Sequence, residues 1–176
     1  MSDEKRTPLV EVKDLKKYFK GKKKGTMLHA VDGVSFDIYP SETLGLVGES
    51  GCGKSTVGNV LMRLHSATGG QFLFDGKPVF DAGGEEHMAL CRDIQIVFQD
   101  PYSSINPQKT VRQILSVPYI IHKLASGEEL EKRIEAIAAE VGLSADYLDK
   151  YPHELDGGKR QIVGIARALS LDPKFI

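Results

Sequence analysis

A chain of 176 residues with 41% hydrophobic and 27% charged residues has the composition of a soluble globular protein, with one core or slightly more. Its 23 basic residues are balanced by 24 acidic ones, which excludes a global electrostatic claim on nucleic acid. Two cysteines, Cys52 and Cys91, a charged opening MSDEKRTPLVE and no apolar run near the ~18 residues of a membrane span argue for a cytoplasmic protein without disulfides.

Leu9 to Val12 and Val31 to Ile38 carry apolar and β-branched residues at strand spacing and predict an antiparallel β layer at the N-terminus. Between them KDLKKYFKGKKK, Lys13 to Lys24, holds seven lysines and one aspartate and reads as a long solvated connection. TLGLVG, Thr43 to Gly48, is a short continuous apolar run, the pattern of a strand buried on both faces. Lys54 to Leu64 follows as a helix with Val57, Val60, Leu61 and Leu64 on one face. Gln71 to Phe74 predicts a further strand, closed by the turn pair Asp75-Gly76, and Glu85 and Glu86 fall in a Gly-rich, solvated stretch.

IQIVF, Ile94 to Phe98, predicts a second buried strand, followed by the polar, proline-bounded loop QDPYSSINP. From Val111 the texture is helical. QILSVPYIIH, Gln113 to His122, is uncharged but too short to cross a membrane, and Pro118 interrupts it. Ser126 with Glu129 predicts a capping box ahead of a helix whose Leu130, Ile134, Ile137, Ala138 and Val141 share one face. The last helix is predicted over Gly157 to Leu169, stopped by Asp172-Pro173. The whole divides at residue 98 into 1–98, the β layer with the first part of an α/β core, and 99–176, a polar loop and a helical part.

The chemistry concentrates in GESGCGKST, Gly48 to Thr56, which matches G-x-x-x-x-G-K-[ST] in full. Glycines let successive backbone N–H groups turn inward, and the helix start behind them adds positive potential for phosphates. In such a loop Lys54 reaches the β- and γ-phosphates and the Ser55 hydroxyl ligates Mg²⁺, with Glu49, Ser50, Gly51, Cys52, Gly53 and Thr56 lining the cradle. The strand–turn–helix context this motif requires is the one predicted here, so the chain is expected to bind a nucleoside triphosphate. The motif alone leaves ATPases, GTPases and small-molecule kinases open, although no NKxD-like base-reading stretch is present.

Taken with three further landmarks, the chain resembles the ATP-binding subunit of an ATP-binding-cassette (ABC) transporter. The landmarks are Gln99 after the IQIVF strand, LDGGKRQIVGIARAL (Leu155 to Leu169), and an aromatic ahead of the phosphate loop. AVDGVSF, SETLGLVGESGCGKST, FQDPYSSINP and YPHE together are similar to oligopeptide and dipeptide importers. The resemblance implies an α/β P-loop NTPase fold with an antiparallel β layer and a helical subdomain, and the cofactors ATP and Mg²⁺. It implies that Phe19, with Tyr18 in reserve, stacks on adenine, that Gln99 contacts Mg²⁺ and the attacking water, and that Leu155, Asp156, Gly157, Gly158 and Lys159 face nucleotide held by a second ATP-binding subunit. Implied partners are transmembrane permease subunits, that second subunit and, indirectly, an extracytoplasmic peptide-binding protein. The implied location is the cytoplasmic face of the membrane. A soluble cassette ATPase of DNA repair or translation is the competing reading, against which FQDPYSSINP and YPHE stand.

The chain departs from the family pattern in two ways. Asp156 stands where the signature LSGGQ has serine and Lys159 where it has glutamine, and Ile162 replaces a commonly basic residue. Aspartate caps a helix as well as serine does. Near a phosphate oxygen, however, a carboxylate is repelled by about 4 kcal/mol at 4 Å and an effective dielectric of 20. Lys159 offsets part of this as an i,i+3 partner, and a composite site impaired in hydrolysis is the expectation. After SLDPKFI the family continues with an apolar run ending in Asp-Glu and a later histidine, none of which this sequence contains. Negligible hydrolysis by this chain alone, and marginal stability from unpaired central strands, are therefore expected. A non-catalytic remnant that binds nucleotide weakly is the alternative reading.

The remaining candidates are quiet. His29, His65, His87, His122 and His153 show no metal-ligand spacing, and no zinc site is expected. Cys52, inside the phosphate loop, is expected to be alkylatable and protected by ATP.

Overall fold

The structure, a computed structural model, describes residues 6–21, 23, 25–100 and 104–176. The chain divides into two compact units, Met1–His87 and Met88–Ile176, each described by itself. Two expectations fall partly outside the described residues: the tip of the lysine-rich stretch at Lys22 and Lys24, and Pro101–Ser103 of the polar loop.

In the first unit β1 (Val10–Lys20) and β2 (Met27–Ile38) form a long antiparallel hairpin, and β3 (Gly69–Phe74) and β4 (Lys77–Pro78) complete a sheet of order β2-β1-β3-β4. The first two thirds of the lysine-rich segment, Lys13 to Lys20, is thus strand and no connection. β1 runs through it to Lys20, and Tyr18, Phe19 and Lys20 pair with His29, Leu28 and Met27. Lysines suit the exposed side of an antiparallel sheet, where the long stems lie along the strand and the ammonium groups stay in water. The register shifts around Asp14, whose φ is 49° and whose N–H donates to Ser35 Oγ at 2.8 Å, so the hairpin carries a bulge there. Asp75 and Gly76 both adopt positive φ, 51° and 73°, and join β3 to β4 by the tight turn that matches strand twist.

Val10, Val12 and Leu15 of β1, Val31 and Ile38 of β2, and Phe72 and Phe74 of β3 are buried. So are Val57, Val60 and Leu61 of α1 (Lys54–Leu61), which packs against β2. The helix ends three residues earlier than the apolar pattern predicts, and Leu64 is 56% exposed. The run Thr43–Gly48 is not a buried strand. Among the described residues it joins no ladder, and Leu44, Leu46 and Val47 are 42%, 45% and 93% exposed. An apolar run becomes a buried strand only when neighbours cover both its faces and its backbone, and here none does.

α2 (Gly84–Asp93) spans the boundary between the units. Glu85 and Glu86 lie in its first turn, where carboxylates meet the positive end of the helix, and they are exposed as anticipated. The expected strand Ile94–Phe98 is reduced to one parallel bridge, Ile94 to Phe175, with Gln95 N–H donating to the Phe175 carbonyl at 2.9 Å. Ile94 is buried, while Phe98 is 36% exposed.

The second unit is helical: α3 (Val111–Ile121), α4 (Gly127–Glu140) and α5 (Gly157–Leu169), with 3-10 turns at Ala145–Tyr147 and Pro152–Glu154. The three helices pack around Val111, Leu115, Ile134, Leu148, Val163 and Ala166. α5 has the predicted limits, and Asp172 beyond it has φ 51°. Pro118 does not interrupt α3 but lies buried within it. Ser126 is the N-cap of α4 without a side-chain cap bond, so the expected box does not form: Glu129 turns outward to Arg133 at 2.8 Å. The box that forms is Thr110 with Gln113, at the start of α3. Arg112 then binds Asp149 through Nε at 2.8 Å and Nη2 at 3.2 Å, and Glu131 through Nη1 at 2.5 Å, which ties α3 to α4 and to the segment before α5. No described helix is long and apolar enough to cross a membrane.

Replacing Ile134, fully buried at the centre of the three-helix cluster, with alanine should cost about 2–5 kcal/mol in denaturant unfolding. The same change at Ile120, 56% exposed, should be close to neutral.

Candidate functional site

The loop Gly48–Gly53 leads directly into α1. Gly53 is its N-cap, with φ 102° and ψ 1°, a left-handed conformation that side chains oppose. Space forbids one as well: an added Cβ would lie 2.1 Å from the carbonyl oxygen of Ala30 in β2. At Gly48 the obstacle is inside the loop, where a Cβ would stand 2.6 Å from Cys52 Sγ. The loop closes by Cys52 N–H donating to the Glu49 carbonyl at 3.3 Å.

The Lys54 ammonium folds back into the loop. It donates to the carbonyls of Gly48 and Glu49, both at 2.7 Å, and lies 3.7 Å from Cys52 Sγ. Glu49, Ser50, Gly51, Cys52 and Ser55 are exposed and Thr56 partly so. α1 has no side-chain cap, in contrast to α3, capped by Thr110, and α5, capped by Asp156. A glycine-tight loop, a cation inside it and a helix start without an internal acceptor form a cradle for phosphate oxygens. The residues present therefore fit a polyphosphate.

Phe19 lies partly buried in β1, its ring perpendicular to His65 (86°) at 5.4 Å between centroids, with the Lys17 ammonium 4.8 Å over it. Tyr18 is otherwise engaged: it stacks on His29 at 3.9 Å and its hydroxyl donates to Asp32 at 2.5 Å. That bond pushes the Tyr18 pKa up and Asp32 down.

In the second unit the signature segment starts α5. Leu155 is buried in the helical core and Gly157 and Gly158 are exposed. Asp156 Oδ1 accepts from Lys159 N–H at 2.8 Å, the N-cap bond predicted for it. Asp156 Oδ2 pairs with the Lys159 ammonium, which also lies 5.0 Å from the Tyr147 ring. These bonds hold the Asp156 carboxyl below its ordinary range and raise the Lys159 ammonium. Gln99 stands exposed at a bend just after Phe98.

Two residues escaped the sequence reading. Gln161 Nε2 donates to the Phe98 carbonyl at 3.4 Å, and Arg167 Nη1 donates to the Ser104 carbonyl at 2.5 Å, so α5 holds the chain on either side of Gln99 and the polar loop. Burial pushes the Arg167 pKa down. Both contacts cross 63 positions of sequence, and nothing local to α5 signals them. Among the described residues no group of His, Cys, Asp and Glu could hold a metal ion.

Fold and loop together define a P-loop NTPase of the ATP-binding-cassette type. The family model described as ABC transporter matches residues 31–176, and the chain belongs to that family. It is 48% identical over 170 residues to the oligopeptide transport ATP-binding protein OppF of Bacillus subtilis (strain 168), covering 96% of this chain and 55% of OppF. It is 44% identical over 174 residues to the oligopeptide transport ATP-binding protein AppF of the same organism, covering 96% of this chain and 53% of AppF. The chain thus spans about half the length of the curated relatives it matches. Among solved structures, the dimeric post-hydrolysis state of the ATP-binding cassette MJ0796 bound to ADP and Pi superposes with a TM-score of 0.82 at 30% identity, over 93% of this chain and 70% of that one.

Gly53→Ala should lower the unfolding free energy by about 1–3 kcal/mol in urea titration, while Gly58→Ala, where an added Cβ meets nothing within 4 Å, should not. The lowered Asp156 pKa makes a second expectation. Its contribution is fully present above the unfolded value of about 4 and is lost as pH falls through the lower folded value. Acid titration followed by helix ellipticity should show this loss in the native chain below about pH 4 and not in Asp156→Asn. Parallel titrations would rule it out.

Proposed function

We propose that the chain is the nucleotide-binding portion of the ATP-binding subunit of an importer for oligopeptides or dipeptides, at the cytoplasmic face of the membrane. The carrying observation is the phosphate loop: Lys54 drawn inside a glycine-restricted cradle at the uncapped start of α1. The similarity to oligopeptide transport ATP-binding proteins supports the substrate class.

In this reading Gly48 to Thr56 hold the phosphates of ATP, and Lys54 exchanges its two carbonyl partners for the β- and γ-phosphate oxygens. Phe19 receives the adenine. Ser55 and Gln99 hold Mg²⁺, which neutralises charge on the phosphates when bound. Leu155 to Lys159 face nucleotide on a second ATP-binding subunit, and permease subunits and an extracytoplasmic peptide-binding protein complete the transporter. Residues 1–98 then carry the β layer and phosphate loop, and 99–176 the glutamine loop, helical subdomain and signature.

Asp156 favours a second reading, a subunit whose signature supports binding without efficient hydrolysis. Its carboxylate occupies the N-cap and is held by Lys159, so a negative charge sits where the family presents a hydroxyl.

ATP binding by the full chain tests the first reading. Lys54→Ala should weaken it about 10- to 100-fold, the loss of a charge-assisted contact, and unchanged affinity would remove the phosphate-loop assignment. For the second, Asp156→Ser in the assembled transporter should raise ATPase activity. No rise would return the signature to ordinary function.

A further inference from the structure

The segment that follows α1 grips the strand that carries Phe19. The Lys17 ammonium donates to the Ser66 carbonyl at 2.7 Å while lying over the Phe19 ring at 4.8 Å. Tyr18 N–H donates to Thr68 Oγ1 at 2.9 Å, and Thr68 N–H donates to the Lys16 carbonyl at 2.7 Å. His65 sets its ring perpendicular to Phe19. Each residue from Lys16 to Phe19 is therefore held by a residue between His65 and Thr68.

That segment is itself fastened to α1. The N–H groups of Leu64 and His65 both donate to the Asn59 carbonyl, at 2.9 and 3.2 Å. α1 begins at the phosphate loop, so one continuous stretch holds the phosphate cradle at one end and steers an aromatic ring at the other. Tyr18 does not compete for this role, because His29 and Asp32 already engage its ring and hydroxyl. Phe19 has no polar atom to orient it, and its setting depends on what packs against the ring.

We propose that His65 is a positioning residue for the nucleotide base: with Lys17 it fixes the orientation of the Phe19 ring and its distance from the phosphate loop. This rests on the reading that Phe19 receives the adenine. A perpendicular aromatic pair restricts a ring without consuming both its faces, and the Lys17 ammonium adds a cation–π contact. Loss of His65 would leave the phosphate cradle as it is and let the platform wander.

The test compares two probes on the full chain: ATP, and inorganic tripolyphosphate, which has the phosphates without the base. His65→Ala should weaken ATP binding about fivefold, the size of one aromatic pair, and leave tripolyphosphate binding unchanged. His65→Phe, which keeps a perpendicular ring, should restore ATP affinity. Phe19→Ala should weaken ATP at least as much, and adding His65→Ala to it should cost nothing further. The proposal is overturned if His65→Ala leaves ATP affinity intact while Phe19→Ala lowers it, if both probes weaken alike, or if His65→Phe fails to rescue. Undiminished ATP affinity in Phe19→Ala would instead sink the base-stacking reading on which the proposal stands.

Discussion

The carbonyl oxygen of Ala30 leaves no room for a side chain at residue 53, and the arrangement of the first unit follows from that closeness. β2 can approach the phosphate loop only because Gly53 carries no Cβ and accepts a φ of 102°. With the loop set against the strand, α1 starts at a fixed place on the sheet and buries Val57, Val60 and Leu61. Its far end then carries the segment Leu64–Thr68 back onto β1. A single steric constraint thus registers a helix, a sheet and the strand end that holds Phe19. A phosphate cradle needs this kind of over-determined support, because misplaced donors lose the geometry on which electrostatic positioning depends.

How much of this was legible varies with the range of the interaction that decides each element. GESGCGKST is legible as a motif because it is nine consecutive residues, and the helix expected behind it does start at Lys54. α5 was read to its limits because its cap, its apolar face and its stop signal at Asp172-Pro173 are all local. The hairpin was cut short because lysines hide strand pairing, which is a property of two segments together; only the partner side, Met27 to Val31, reveals it. TLGLVG failed for the opposite reason. Its pattern is apolar enough for burial, but burial needs neighbours, and periodicity does not report them.

Capping shows the same competition on a smaller scale. Ser126 and Glu129 have the right spacing, yet Arg133 sits one turn further on and takes the carboxylate. Thr110 and Gln113 have the same spacing, and no basic residue contests the neutral glutamine, so that box closes. The contacts of His65, Gln161 and Arg167 have no local signal, because each acts on backbone or rings dozens of positions away.

The helix starts of α1 in the first unit and α5 in the second differ in what already sits on them. α1 has no side-chain cap, whereas α5 carries its own anion, the Asp156 carboxylate, tethered by the chain and countered by Lys159. A tethered group competes at an effective concentration set by its geometry, at least millimolar even for a flexible link. An outside phosphate approaching α5 therefore meets a resident competitor that never diffuses away. It would have to displace or draw aside a ligand that the helix supplies to itself, a threshold that α1 does not impose.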